Sequence, residues 1–152
     1  MGSGNLSGKK VLVTGGTSGL GYELAKKFLE KGCSVVATGK RNSSEIPPSE
    51  NFSYFRVDFN NLAEVARFGY LIANQEDPVD VLVCNAGILS PPTLQITPDG
   101  FESTFQVNFL AHLLLSHVLI SKRTVGEPLI LVSVTSPIFR FGKIPERQEM
   151  QL

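Results

Sequence analysis

The chain has 152 residues, a length that fits one domain. Its residues are 42% hydrophobic and 18% charged, which supplies a packed core and excludes an intrinsically disordered chain. Lysine plus arginine equals aspartate plus glutamate at 14 each, so no basic surface for nucleic acid or another polyanion is expected.

The N-terminus, Met1 to Leu6, carries no apolar signal segment, and Leu6 stands where a myristoylation signal wants Ser or Thr. Lys10-Val11-Leu12-Val13-Thr14 reads as a first strand. The chain then breaks into glycines and takes up a helical period, with Leu20, Leu24, Phe28 and Leu29 on one face and Gly32 as the stop. Ser34 to Thr38 is a second strand without polar alternation, as in a strand buried on both faces. Gly39 to Glu50 is a polar loop with at most one helical turn, followed by a third, weaker strand from Tyr54 to Val57.

Asn61 to Asn74 is expected to be helical, Val79 to Cys84 a fourth strand, and Asn85 to Ile96 a loop. Thr97-Pro98-Asp99 has the residues of a helix start: a cap, a proline for the first turn and an acid for the dipole. It is expected to open a long helix, 98–122, that is apolar nearly all round and so is buried against a sheet and something else. Leu129 to Val134 is a fifth strand, and the polar tail after Ser136 shows no pattern. The apolar run Val107 to Ile120 is shorter than the about 20 residues a bilayer span needs, and it contains Asn108, His112 and His117.

Cys33 and Cys84 match no metal or redox spacing, so no metal site is expected. Both lie in apolar stretches and read as buried free thiols, which together with the missing signal segment points to a cytoplasmic protein with no membrane span. His112 and His117 read as core or interface residues rather than catalysts. Alternation of buried strands with helices predicts an α/β fold: a doubly wound parallel sheet, Rossmann-like, with five strands in the order 3-2-1-4-5.

Thr14-Gly15-Gly16-Thr17-Ser18-Gly19-Leu20-Gly21 falls between the first strand and the first helix. In that place Gly15 permits a tight turn, Gly19 lets the backbone approach a pyrophosphate, and Gly21 lets helix and strand pack closely. Free N–H groups at the helix start suit phosphates, and Thr17 and Ser18 add hydroxyls. At the end of the second strand stands Gly39-Lys40-Arg41, with no acid to hydrogen-bond an NAD ribose and two cations to pair with a 2′-phosphate. NADP(H) is therefore expected in preference to NAD(H).

With these residues in view, the sequence resembles the short-chain dehydrogenase/reductase family. Thr14 to Gly21 fits the family's TGxxxGxG turn, Val57-Asp58 an acid that contacts adenine, and Cys84-Asn85-Ala86-Gly87 its NAG segment. Gln106-Val107-Asn108 fits the segment of its active-site Asn. The resemblance implies that Asp58 holds the adenine, that Asn85, Ala86 and Gly87 lie beside the cofactor, and that Asn108 organises a proton relay. It implies a catalytic Ser at the exit of the fifth strand, which Ser136 fits best, with Thr135 as competitor. Rival readings need no catalysis: Asp58 capping a turn, Asn108 a buried amide satisfied by backbone, Ser136 a turn residue before Pro137.

The family's Tyr-x-x-x-Lys pair has no counterpart. Tyr22, Tyr54 and Tyr70 are the three tyrosines, and all precede the fifth strand. The expectation is a single NAD(P)-binding domain over 1–152, incomplete at its C-terminus, from an oxidoreductase acting on a carbonyl or alcohol substrate. The alternatives are a non-catalytic NADP(H)-binding module, a truncated product that pairs with a full-length relative, and a fragment with no stable fold. The resemblance also implies homo- or heterodimer pairing through helix 98–122, since the family often buries that face.

Overall fold

A computed structural model describes residues 6–41, 49–89, 92–124 and 126–136. The N-terminal residues 1–5, most of the loop expected from Gly39 to Glu50, residues 90 and 91, and the tail after Ser136 lie outside the described residues.

Five parallel strands form one sheet: β1 (Lys10–Val13), β2 (Ser34–Gly39), β3 (Phe52–Arg56), β4 (Val81–Cys84) and β5 (Ile130–Ser133). Their spatial order is β3-β2-β1-β4-β5, the order the alternating pattern predicts. Helices α1 (Gly19–Glu30), α2 (Leu62–Ala73) and α3 (Ser103–Ser121) make the crossovers. The strand order reverses at β1, whose neighbours are β2 and β4.

Two apolar layers explain why the inner strands read as unbroken hydrophobic runs. On one face, Val11, Val13, Val35 and Ala37 pack with Val81 and Val83 beneath Ala25 of α1. On the other, Leu12, Val36 and Leu82 pack against Val65 and Ile72 of α2 and Leu115 and Leu119 of α3. Alternate residues of one strand thus feed opposite layers, and neither face needs polar residues.

Three local expectations change. Leu20 does not join the buried face of α1: it is 57% exposed, because the first turn overhangs the end of the sheet, and Gly21 and Ala25 are the fully buried positions. The third helix starts at Ser103, not at Thr97-Pro98-Asp99. The Thr97 N–H donates to the Phe101 carbonyl (2.8 Å), closing a turn, while the Glu102 carboxylate accepts from the N–H groups of Thr104 and Phe105 at 2.8 and 2.7 Å. An ionised carboxylate reaching two orphan donors is the stronger cap. Asp99 does serve a helix start, but that of α2, where it accepts from the Leu62 N–H at 2.9 Å.

The helix is also not apolar all round in its surroundings. Val107, Ala111, Leu115, Val118 and Leu119 are buried, whereas Phe105, Phe109, Leu113 and Ile120 are exposed. Among the described residues α3, at 19 residues, has the length and hydropathy to cross a membrane, because it extends the apolar run N-terminally to Ser103; half of its apolar window is buried inside the fold. Among the described residues β5 pairs with β4 alone, and Ile130, Leu131 and Val132 remain exposed at the sheet edge.

Leu82 lies on β4, inside the sheet, with no exposed surface. Leu82→Ala should lower unfolding free energy by about 2–5 kcal/mol, the cost of lost transfer plus cavity. The midpoint of urea denaturation followed by far-UV circular dichroism measures it.

Candidate functional site

The carboxyl ends of β1, β2 and β4 open onto a cleft of about 340 Å³. Its walls contain Gly15, Thr17, Ser18, Leu20 and Gly21 from the turn after β1, and Gly39, Lys40 and Arg41 from the end of β2. Asp58 follows β3, and Asn85, Ala86 and Gly87 follow β4. Residues drawn from four distant stretches of sequence therefore share one crevice at the point where strand order reverses, the usual ligand position in an open α/β sheet.

The turn after β1 has its shape for steric reasons. A Cβ on Gly21 would run into the Gly15 carbonyl oxygen and the Asn85 side-chain amide. Gly19, by contrast, has φ +52° and nothing within 4 Å of its would-be Cβ, so its backbone faces open space. Ser18 is the N-cap of α1, yet its side chain makes no capping hydrogen bond, and the first turn holds no acidic residue. The start of α1 thus presents N–H groups and positive dipole end without a side-chain partner, at the wall of the cleft. This is an observation that fits an anionic group such as a pyrophosphate.

Thr14 joins this turn to the loop after β4. Its fully buried hydroxyl accepts from the N–H groups of Asn85 and Ala86, both at 2.9 Å. The Asn85 amide donates back to the carbonyls of Thr14 (2.9 Å) and Gly15 (3.3 Å). On its other side the Thr14 hydroxyl lies 2.9 Å from Nε2 of His112, whose Nδ1 is 3.3 Å from the Asn108 carbonyl. A carbonyl can only accept, so the imidazole proton is assigned to Nδ1, and the single Thr14 hydroxyl proton is left to Nε2 and the Val83 carbonyl, the latter 3.2 Å away. His112 was expected in the core or at an interface; it is buried, edge-on to Phe59 with ring centroids 5.1 Å apart, and it links α3 to the glycine turn.

Asn108 lies in a widened stretch of α3, Gln106–Leu110, wound with π-helical bonds to the fifth residue on. Its side chain is exposed, and its amide is paired with the backbone of Ile88: the oxygen accepts from the Ile88 N–H (2.8 Å) and the nitrogen donates to the Ile88 carbonyl (3.0 Å). The amide therefore staples the loop after Gly87 to the helix. Asn108 borders a second, smaller pocket with Cys84, His112 and Ser133 rather than the main cleft. Ser136 is exposed beyond the end of β5 and does not line the main cleft.

The charges at the β2–β3 end are organised as well. The Lys40 ammonium lies 3.2 Å from the Asp58 carboxylate. Partial burial pushes the Asp58 carboxyl up, but hydrogen bonds from the backbone and side chain of Asn60, with Lys40, outweigh it and hold the group below its ordinary value. Asp58 thus both caps the turn to Asn60 and lines the cleft. Burial pushes the Cys84 thiol up to about 11, so it stays protonated and unreactive, and Cys33 is likewise a buried free thiol pushed up by burial. Sequence reading did not single out Thr14 and His112 as a linked pair. Their contact spans 98 residues, and no local pattern marks it.

Burial lowers the His112 pKa from its ordinary 6.5, and the hydrogen bond to Asn108 offsets this only in part. The unfolded chain therefore binds a proton more readily than the folded one. This contribution to stability is complete above the unfolded value and is lost as pH falls through the window below about 6.5. Melting temperature should drop on acidification from about pH 7 to about pH 5, and His112→Gln should flatten that slope. An unchanged slope in the variant would contradict the assignment.

Comparison with known proteins bears on the chain as a whole. A family model described as short chain dehydrogenase matches residues 9–139. The WW domain-containing oxidoreductase of Danio rerio is 36% identical over 146 residues, covering 90% of this chain and 35% of that protein. Human retinol dehydrogenase 12 is 32% identical over 149 residues, covering 92% of this chain and 47% of that protein. The chain thus spans about half, or less, of the length of these relatives. A short chain dehydrogenase from Leptospira borgpetersenii, solved with bound NAD+, superposes with a TM-score of 0.73 at 25% identity, over 93% of this chain and 56% of that one. The turn, the strand order and a family match over residues 9–139 lead to one conclusion: this chain belongs to the short-chain dehydrogenase family.

Proposed function

We propose that residues 1–152 form the NADP(H)-binding domain of a short-chain oxidoreductase that interconverts a carbonyl and an alcohol. One observation carries the reading: an uncapped helix start and the two cations Lys40 and Arg41 border the same cleft. A dinucleotide needs both, one for its pyrophosphate and one for the phosphate on its adenosine ribose. When bound, the nicotinamide supplies the hydride or accepts it.

The chain's own residues bind and orient. The N–H groups at the start of α1, with Thr17 and Ser18, hold the pyrophosphate; Gly19 leaves the backbone open to it. Asp58 accepts from the adenine amino group at the other end. Asn85, Ala86 and Gly87 form the wall nearest the reacting end, held in place by Thr14 and by the Asn108 amide on Ile88. Ser136, at the exit of β5, is the proposed hydroxyl for the substrate oxygen, and Asn108 is proposed to organise the proton relay. The Tyr and Lys that would tune and move that proton are absent from these residues, so turnover requires them from further sequence.

A second reading is a non-catalytic NADP(H)-binding module. Cofactor binding is common to both readings, and neither expects turnover from residues 1–152 alone. The purified 152-residue chain should reduce no member of a panel of aldehydes and ketones with NADPH faster than its Gly19→Asp variant does; a faster rate would refute the requirement for further residues.

The choice of NADP(H) has its own measurement. Arg41→Ala should weaken NADPH binding by about 1.5–3 kcal/mol, the worth of a charge-assisted contact, and leave NADH binding nearly unchanged. Equal losses by calorimetric titration would remove the assignment.

A further inference from the structure

The cleft's two cations lie at the end of β2, where the chain leaves the sheet. The last ladder bond between β2 and β3 is from the Val57 N–H to the Gly39 carbonyl, at 3.0 Å. Beyond it the backbone needs another anchor if Lys40 and Arg41 are to present a fixed geometry. Tyr54 provides one. It stands opposite Ala37 in the register, with its ring partly buried against the layer beneath α1. Its hydroxyl reaches past the ladder, 3.0 Å from the Gly39 carbonyl and 2.5 Å from the Arg41 carbonyl. One phenolic proton is shared between two carbonyls that bracket Lys40.

We propose that the Tyr54 hydroxyl is a positioning residue for cofactor selectivity, fixing the backbone from Gly39 to Arg41 so that Lys40 and Arg41 converge on the 2′-phosphate of NADP(H). The inference rests on the NADP(H) reading above and adds to it the residue that shapes the selective end of the site. Tyr54 does not line the cleft and would touch no part of the cofactor. It acts through the two carbonyls. The physical reason is entropic. Long cationic side chains lose rotamer freedom on binding, and a loop that must also be ordered adds to that cost. A pre-set backbone removes the second part, and only for a ligand that uses those cations. Partial burial raises the phenol's pKa, so it stays a hydrogen-bond donor at neutral pH.

Tyr54→Phe keeps the ring and deletes the hydroxyl. In calorimetric titrations of the 152-residue chain, the NADPH dissociation constant should rise about 3- to 10-fold, the range for one lost neutral hydrogen bond. The NADH constant should stay within about twofold of the wild-type value. The ratio of the two constants does not depend on the folded fraction, so a loss of stability cannot imitate the result. The same split should appear between 2′,5′-ADP and 5′-AMP, which differ by the phosphate in question. In an Arg41→Ala background the Tyr54→Phe change should cost less than it does alone. Equal weakening of both cofactors, or no weakening of NADPH, overturns the role given to Tyr54. A wild-type chain that binds NADH as tightly as NADPH overturns the NADP(H) reading and this inference with it; a wild-type preference for NADPH that Tyr54→Phe leaves intact overturns this inference alone.

Discussion

The Thr14 hydroxyl is the joint on which the carboxyl end of the sheet depends. It is fully buried at the end of the central strand, and three parts of the chain meet there: the glycine turn, the loop after β4 and the imidazole of α3. Removing the oxygen would leave the Asn85 and Ala86 N–H groups without their acceptor. An unsatisfied buried donor costs about 1–3 kcal/mol, far more than a satisfied one returns. The cleft's shape is therefore set by polar satisfaction at one atom as much as by apolar packing. The link through His112 to the Asn108 carbonyl extends that constraint from the glycine turn to the widened stretch of helix.

The same joint explains why the crevice opens where it does. β1 has a neighbour on each side, and the chain leaves it towards opposite faces of the sheet. The loops after β1 and β4 diverge from there, and Thr14 and Asn85 hold their roots together across the gap. At the β2–β3 side the backbone from Gly39 to Arg41 is held by a different device: the Val57 ladder bond, the Tyr54 hydroxyl and the Lys40–Asp58 pair. One end of the cleft is thus rigid through buried hydrogen bonds. The other is set by partly exposed charges, whose interactions are weaker and more sensitive to salt.

The periphery follows a different rule. β1, β2 and β4 are covered on both faces, and their sequences are accordingly unbroken apolar runs. β5 has an equally apolar sequence, yet Ile130, Leu131 and Val132 are exposed. The outward side chains Phe105, Phe109 and Leu113 of α3 are exposed as well, and the Phe105 ring makes tilted contacts with those of Phe101 and Phe109, at 6.4 and 5.5 Å between centroids. Apolar composition dictated that these segments be strand and helix, but composition alone carries no information on what lies over them.

Local chemistry determined much of this protein. The glycine turn, the five strands, their parallel order and the gathering of Lys40, Asp58 and Asn85 at one end of the sheet follow from apolar periodicity, from glycines placed between strand and helix, and from the handedness of crossovers. What the sequence could not settle are competitions between groups far apart along the chain. Thr97 has every local mark of a helix cap, but Glu102 lies closer to the donors and is ionised, so the helix begins five residues later and Asp99 is released to serve α2. Leu20 fits the helical face by period but falls on a turn that the sheet does not reach. Thr14 with His112, and Tyr54 with Arg41, are pairs that only the sheet's register and the packing of α3 bring within hydrogen-bond reach. Sequence fixes which groups must find partners, because burial without one is costly; the tertiary structure decides which partners they find, because that choice depends on distances along no single element.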